Sequence, residues 1–311
     1  MLITGVAGFL GARLARRMLK DGWEVHGLDT VARVDAWRLE GVRLEYHWGS
    51  CQDIHDLHAP YVIHCASQAD VPLGISSPNF TVSQSVLGTL AVLEAAKQYD
   101  GLERFLLQSS EEVYGYCARL PIKEEEPLNP TNVYGASKAA QELLSMAYHH
   151  SFGLPVTTIR SGTIIGEGMR RTQVIPIFVE QALRGEGLTI HGDGLQTRDF
   201  HWVDDHVDAM VAVLTKPEAV GLTLNVGSGE ERSVRSIAET CLRTISNCWI
   251  EYLPQRPGEE GLRVVLDISR AQQILEYRPK VSFQEGLERI ISWLTKERAS
   301  YEQDTKCHQV A

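Results

Sequence analysis

Residues 4–11 read TGVAGFLG, and they constrain the fold more than any other stretch of the 311-residue chain. They follow the short apolar run MLIT and open a helical pattern over about Gly11 to Lys20. Gly5, Gly8 and Gly11 allow a tight turn and let backbone N–H groups approach a pyrophosphate at the positive end of that helix. A glycine-rich turn with no ligand is the plainer alternative, so the surrounding pattern has to decide.

That pattern alternates strand and helix. EVHGLD, VRLEYH, YVIHCAS, RFLLQSS and VTTIRSG read as strands, with helices over about Phe80 to Gln98 and Tyr134 to Phe152. The rhythm predicts an α/β chain with a doubly wound parallel sheet covered on both faces. Between VRLEYH and YVIHCAS only WGSCQDIHDLHAP intervenes, too short for a covering helix, so a loop or single turn is expected there. After about residue 160 helical stretches (VIPIFVEQALRG, VRSIAETCLRTI, FQEGLERIISWLTKE) mix with strand-like LTIHG and LTLNVGSG. The expected division is a dinucleotide domain over 1–160 and a smaller C-terminal substrate domain over 161–311, with some segments returning to the first. The polar tail ASYEQDTKCHQVA is expected to fray.

Asp29 closes the second strand, 18 residues beyond Gly11. A carboxylate there accepts hydrogen bonds from ribose hydroxyls and repels a 2′-phosphate, which favours NAD over NADP. Arg33 keeps NADP as the alternative. A formal net charge of −10 and a pI near 5.6 argue against nucleic acid or an anionic membrane as partner. The 6 cysteines form no CxxC pair, and no apolar run reaches membrane-spanning length, so a reduced, cytoplasmic protein is expected.

Tyr134 and Lys138 in YGASK stand at i and i+4, on one face of a helix. An ammonium beside a phenol would favour the phenolate, whose pKa of about 10 must fall by roughly 3 units to give a base at neutral pH. Tyr and Lys also meet at that spacing by chance on many helices.

Taken together, TGVAGFLG, Asp29, VIHCAS, SSEEVYG, YGASK, VIPIF, GDGLQTRDFHWVDD, LNVGSG and RPGE resemble the extended short-chain dehydrogenase/reductase family, the NAD-dependent nucleotide-sugar epimerases and dehydratases. The resemblance implies a Rossmann-type fold, a bound and recycled NAD, a nucleotide-diphosphate sugar as substrate, and a homodimer through helices that include the one bearing Tyr134. Leu90, Val92 and Leu93 could serve that contact or the core. By resemblance Tyr134 takes the proton of the sugar C4 hydroxyl, Lys138 binds the nicotinamide ribose and tunes Tyr134, and Ser110 hydrogen-bonds the reacting oxygen. The cofactor would touch Gly5, Gly8, Phe9, Leu10, Gly11, Asp29, Thr30, Ser50, Cys65, Ala66, Ser67, Tyr134 and Lys138. Thr163 and Val174 would touch the substrate, and Arg198 and Arg256 would hold its diphosphate. Three positions depart from the family pattern: Ser50 where an acidic residue is usual, and Ser85 and Thr163 where asparagines are usual.

The adjacent Glu111 and Glu112 separate the reactions within the family. Simple C4-epimerases resemble SSATVYG and have no use for two carboxylates. In the 4,6-dehydratases the pair is acidic: once C4 is a ketone, one carboxylate removes the C5 proton while a neighbouring acid protonates the leaving C6 hydroxyl. Glu112 would be the base and Glu111 the acid, so the resemblance leans to an NDP-hexose 4,6-dehydratase. The alternatives are an NDP-sugar 4-epimerase, an NDP-uronate decarboxylase and, from another class, a non-catalytic NAD-sensing regulator. On an extended strand the two glutamates would point to opposite faces, which stands against a shared site.

No metal is expected. His47, Cys51, His55, His58, His64 and Cys65 match no closed zinc spacing. Glu124, Glu125 and Glu126 read as a solvated loop, and Trp202 and Trp293 as packing residues.

Overall fold

The computed structural model describes residues 1–245, 247–255 and 261–308, with side chains to residue 299. In chain order its strands are β1 (Leu2–Thr4), β2 (His26–Asp29), β3 (Glu45–Trp48), β4 (Tyr61–His64), β5 (Arg104–Ser110), β6 (Val156–Ser161), β7 (Thr163–Ile165), β8 (Gly187–His191), β9 (Thr197–Trp202), β10 (Thr223–Val226), β11 (Glu231–Ser233) and β12 (Trp249–Leu253). Seven of them form one parallel sheet in the order β3-β2-β1-β4-β5-β6-β10. The chain winds outward from β1 to β3, then crosses back and winds the other way from β4. The strand order therefore reverses between β1 and β4, and a crevice opens at the carboxyl ends of the strands there.

Both faces of the sheet are covered, and the period-two alternation of its strands shows how. Ile63 and Leu106 face a core shared with Leu14 and Met18 of the helix Phe9–Lys20 and Met210 of the helix Val203–Thr215. Their neighbours Val62, Phe105 and Leu107 face the opposite core with Val92 and Leu93 of the helix Gly88–Lys97. All seven strand and helix residues of that set with β-branched or leucine side chains are fully buried, which fixes strand register, since a one-residue slip would exchange the two faces. Val92 and Leu93 thus belong to the core, and Leu90 is half-buried.

A third core gathers Phe178, Leu188, Phe200, Trp202, Ile237 and Leu287 around β7-β9-β11 and the parallel pair β8 and β12. Trp202 packs there as expected, and Trp293 lies partly buried against it. β10 returns from this region to the edge of the large sheet.

Several elements differ from the pattern. The link after β3 is a single 3-10 turn, Cys51–Asp53, as its length required. The helix expected over Phe80 to Gln98 is interrupted by a π-helical turn, Ser83–Leu87. β9 and the helix Val203–Thr215 were hidden by charged residues at their junction. The last helix, Phe283–His308, continues into the segment expected to fray, which holds no proline or glycine to stop it. Glu124 is not solvated: its side chain is 5% exposed and accepts from Asn225 N at 2.9 Å. Among the described residues no helix is long and apolar enough to cross a membrane.

Candidate active site

The crevice at the switch point encloses about 650 Å³. At one end lies the first βα turn. Gly5 has φ +72°, in the left-handed region, and a Cβ on Gly11 would stand 2.2 Å from Gly5 O. Only glycine lets the helix start pack this tightly under the turn. Asp29 locks it from the next strand, its carboxylate accepting from Ala7 N at 2.8 Å and Val31 N at 3.0 Å. Gly5, Gly8, Phe9, Leu10, Gly11, Asp29, Thr30, Cys65, Ala66 and Ser67 all line the crevice. The result is a wall of glycine backbone at the amino end of a 12-residue helix, open to a phosphate and crossed by one carboxylate.

Ser50 does not line it. Its hydroxyl accepts from Gln52 N at 3.2 Å and caps the turn that carries Asp53, while its neighbours Gly49 and Cys51 face the crevice. Arg33, the residue that kept NADP open, donates to Leu39 O and Val42 O and is not among the lining residues. Ser85, on the π turn, is buried and fixes the loop after β4 by contacts of 3.1 Å to Gln68 N and Ser67 Oγ.

At the other end β5 stops at Ser110, and Glu111–Val113 turn as a 3-10 helix. The bend removes the objection from strand geometry, and both Glu111 and Glu112 line the crevice with Ser110, Tyr134 and Lys138. The helix Val133–Phe152 meets this turn closely: a Cβ on Gly135 would lie 2.5 Å from Glu112 O. Asn132 joins the two, accepting from Gly135 N and donating to Glu112 Oε2, both at 2.8 Å.

Glu111 is 5% exposed. Its Oε1 accepts from Thr163 Oγ1 at 3.0 Å, while its Oε2 is buried with no partner. Burial pushes this carboxyl well above the usual carboxylate range; the Arg198 guanidinium opposes that, and Asp199 and Glu112 add to it. Arg198 lies between the two acids, 3.9 Å from Glu111 and 3.7 Å from Glu112, rather than on Asp193. Arg256 lies outside the described residues. Val174 opens its helix partly buried against the third core; the next residue back, Gln173, lines the crevice instead.

Lys138 lines the crevice with Tyr134. Its ammonium is buried, donates to Gln108 O at 2.7 Å and is lowered by burial to about 8. The Tyr134 phenol is pushed up to about 12 by burial; its hydrogen bond with Ser110 and the charge of Arg170 pull the other way, and Glu112 and Glu111 add to the rise. The i, i+4 spacing places both groups on one helix face, and one donor of the lysine goes to the end of β5.

Sequence reasoning missed Gln108, Arg170 and Gln173, which also line the crevice, and a buried ion pair beneath it. Arg160 of β6 meets Glu142 at 2.7 Å, and Ser109 Oγ donates to the same carboxylate. The charged residues stood in apolar surroundings, a signal that marks a paired buried charge. The histidine and cysteine cluster disperses: His64 is buried between Thr4 and Thr89, with its pKa lowered by burial to about 3.

Comparison with known proteins adds the family. Residues 1–227 match the model of the NAD dependent epimerase/dehydratase family. The chain is 32% identical over 320 residues to a dTDP-glucose 4,6-dehydratase of Streptomyces antibioticus, covering 97% of this chain and 94% of that one. It is also 32% identical to a UDP-glucuronate 4-epimerase of Thermodesulfobacterium geofontis, over 94% of this chain and 95% of the other. In structure it resembles the dTDP-glucose 4,6-dehydratase DesIV of Streptomyces venezuelae, solved with NAD bound, with a TM-score of 0.87 at 29% identity, covering 96% of this chain and 97% of that one.

Proposed function

Since the chain belongs to the NAD-dependent epimerase/dehydratase family, with NAD as its cofactor, we propose that it is an NDP-hexose 4,6-dehydratase. The observation that carries this reading is the pair Glu111 and Glu112, both lining the crevice beside Tyr134, with one carboxyl held toward its neutral form.

The crevice fits the cofactor on its own geometry. The glycine turn leaves no room for a Cβ but leaves backbone open to a pyrophosphate, and Asp29 faces the position of a ribose diol. Gly8, Phe9, Leu10 and Gly11 would hold the pyrophosphate, Asp29 and Thr30 the adenosine ribose, and Ala66, Ser67 and Lys138 the other half. NAD, when bound, supplies a reversible hydride acceptor for C4 of the sugar and, in its oxidised form, a cationic ring.

Tyr134 exchanges the C4 hydroxyl proton, with Ser110 sharing the reacting oxygen. Burial raises the pKa of its phenol, and a cationic ring bound beside it would oppose that rise. With C4 a ketone, the C5 proton becomes removable. Glu112, steadied by Asn132, takes that proton; Glu111, steadied by Thr163, gives one to the departing C6 oxygen, and water leaves. Glu112 then returns a solvent-exchanged proton to C5 as C6 receives the hydride that the cofactor would hold, leaving a 4-keto-6-deoxy sugar and the cofactor oxidised again. Arg198, between the two acids, would reach the diphosphate only by giving up part of that position.

A 4-epimerase is the second reading, supported by the epimerase among the relatives and by the sufficiency of Tyr134 and Ser110 for that chemistry. We propose a homodimer in either case, through the exposed Leu87 and Leu143 on helices flanking the crevice. The test is a panel of nucleotide sugars in deuterated water, with products read by mass and NMR. Dehydration with deuterium at C5 supports the dehydratase. Inversion at C4 without exchange replaces it by the epimerase, and loss of carbon dioxide by a decarboxylase. Binding of NAD with no turnover of any sugar leaves a sensor.

A further inference from the structure

At the edge of the large sheet, away from the crevice, two imidazoles and a carboxylate converge. In the register of β2 and β3, His26 stands opposite Glu45, and Leu28 opposite His47. Side chains alternate faces along a strand, so His26, Glu45 and His47 all project from the same face. The His26 and His47 rings lie parallel within 8°, their centroids 5.9 Å apart. Glu45 reaches both, with one oxygen 3.4 Å from His26 Nδ1 and the other 3.4 Å from His47 Nε2. One ligand atom from each of the three residues can be chosen so that no pair is more than 4.8 Å apart.

We propose that His26, Glu45 and His47 bind a divalent transition-metal ion of the zinc class. Two imidazoles and one carboxylate are the donor set that zinc takes when one tetrahedral position is left to water, and imidazole nitrogens favour it over magnesium or calcium. Ligands about 2.0–2.2 Å from a tetrahedral ion stand roughly 3.3–3.6 Å from one another. Each ring already stands at that distance from one carboxylate oxygen, and with one ligand atom per residue the set lies within 4.8 Å, so closing the site takes rotation of the three partly or fully exposed side chains. The backbone needs no movement, because β-pairing already holds the three Cα atoms.

The site is separate from the nucleotide crevice. None of the three residues lines it, and His26 starts β2 whereas Asp29, at the crevice, ends it. Glu24 Oε1, 3.3 Å from His26 Nε2, accepts from the second ring nitrogen when that nitrogen carries the proton. A carboxylate in that place orients a ligating histidine. A bound ion would tie the edge strand β3 to β2 and remain accessible from solvent through its fourth position. The inference does not depend on which sugar the crevice accepts.

The experiment titrates zinc chloride into the untagged full-length chain by calorimetry, beside His47→Ala and Glu45→Gln, with folding checked by circular dichroism. A site of one ion per chain is expected, weakened about 10-fold or more in each variant. Equal affinity in wild type and His47→Ala would place any bound zinc elsewhere and overturn the proposal. A second measurement needs no variant to fold: with one equivalent of Cu²⁺ as probe, electron paramagnetic resonance of the wild-type chain should show two nitrogen ligands, and a spectrum with no nitrogen ligand would equally end it.

Discussion

At the dinucleotide end of the crevice the protein offers backbone, with glycines at the turn and one carboxylate locking it. At the chemical end it offers side chains with strained electrostatics: a carboxyl with an orphaned buried oxygen, a phenol held protonated, and an ammonium lowered to about 8. The first end is a shape fixed by sterics and indifferent to what surrounds it. The second is a set of proton affinities that exist only because the chain is folded. Binding can be built from local geometry; acid–base chemistry needs burial from distant parts of the sequence.

The largest effect expected from separating the ends is on turnover. Tyr134→Phe should lower kcat by about 10²–10⁴-fold while NAD content, set at the other end, stays unchanged. A loss below tenfold would remove Tyr134 from the chemistry. Glu142→Ala strikes the buried charge beneath the chemical end, leaving Arg160 without its partner. A cost of about 3–5 kcal/mol is expected in denaturant unfolding, and a cost under 1 kcal/mol would mean that this pair is not desolvated as the geometry has it. Gly11→Ala strikes the other end. The new methyl group would press on Gly5 O, so a loss of about 1–3 kcal/mol with reduced NAD occupancy is expected; full occupancy would show that the turn can relax.

The smallest effect has a definite sign. Folding raises the Glu111 carboxyl above its unfolded value, so near neutrality the native state binds the proton more tightly than the unfolded chain does. Stability from this group therefore falls as pH rises from the unfolded carboxylate range toward the raised folded value. Glu111→Gln removes the dependence. Relative to wild type, the variant should gain stability as pH rises from the unfolded carboxylate range toward neutrality, read as a pH-dependent rise in melting temperature. A difference that did not change with pH would contradict it.

The comparison also explains what could be read from sequence. The glycine spacing and Asp29 are local, and so was the turn they make. The alternation of strands and helices carried the sheet, because Val62 and Ile63 announce two covered faces by their adjacency alone. SSEEVYG announced two carboxylates but not that β5 would bend after Ser110 and turn both into one crevice. Ser50 followed the family position, yet its hydroxyl went to a local cap, an interaction that competes for serine wherever a turn begins. Nor could spacing weigh the burial that pushes the Tyr134 phenol up. Helical spacing fixes a face, whereas the Lys138 ammonium goes to whichever acceptor tertiary packing brings near, here Gln108 O.

The most direct measurement is infrared difference spectroscopy at neutral pH, comparing wild type with Glu111→Gln in the carbonyl-stretch region of protonated carboxyl groups. A neutral acid at this position predicts a band in wild type that is missing from the variant and moves in deuterated water. If no such band is present and a carboxylate band disappears instead, Glu111 is ionised, and the division of labour between the two glutamates is wrong.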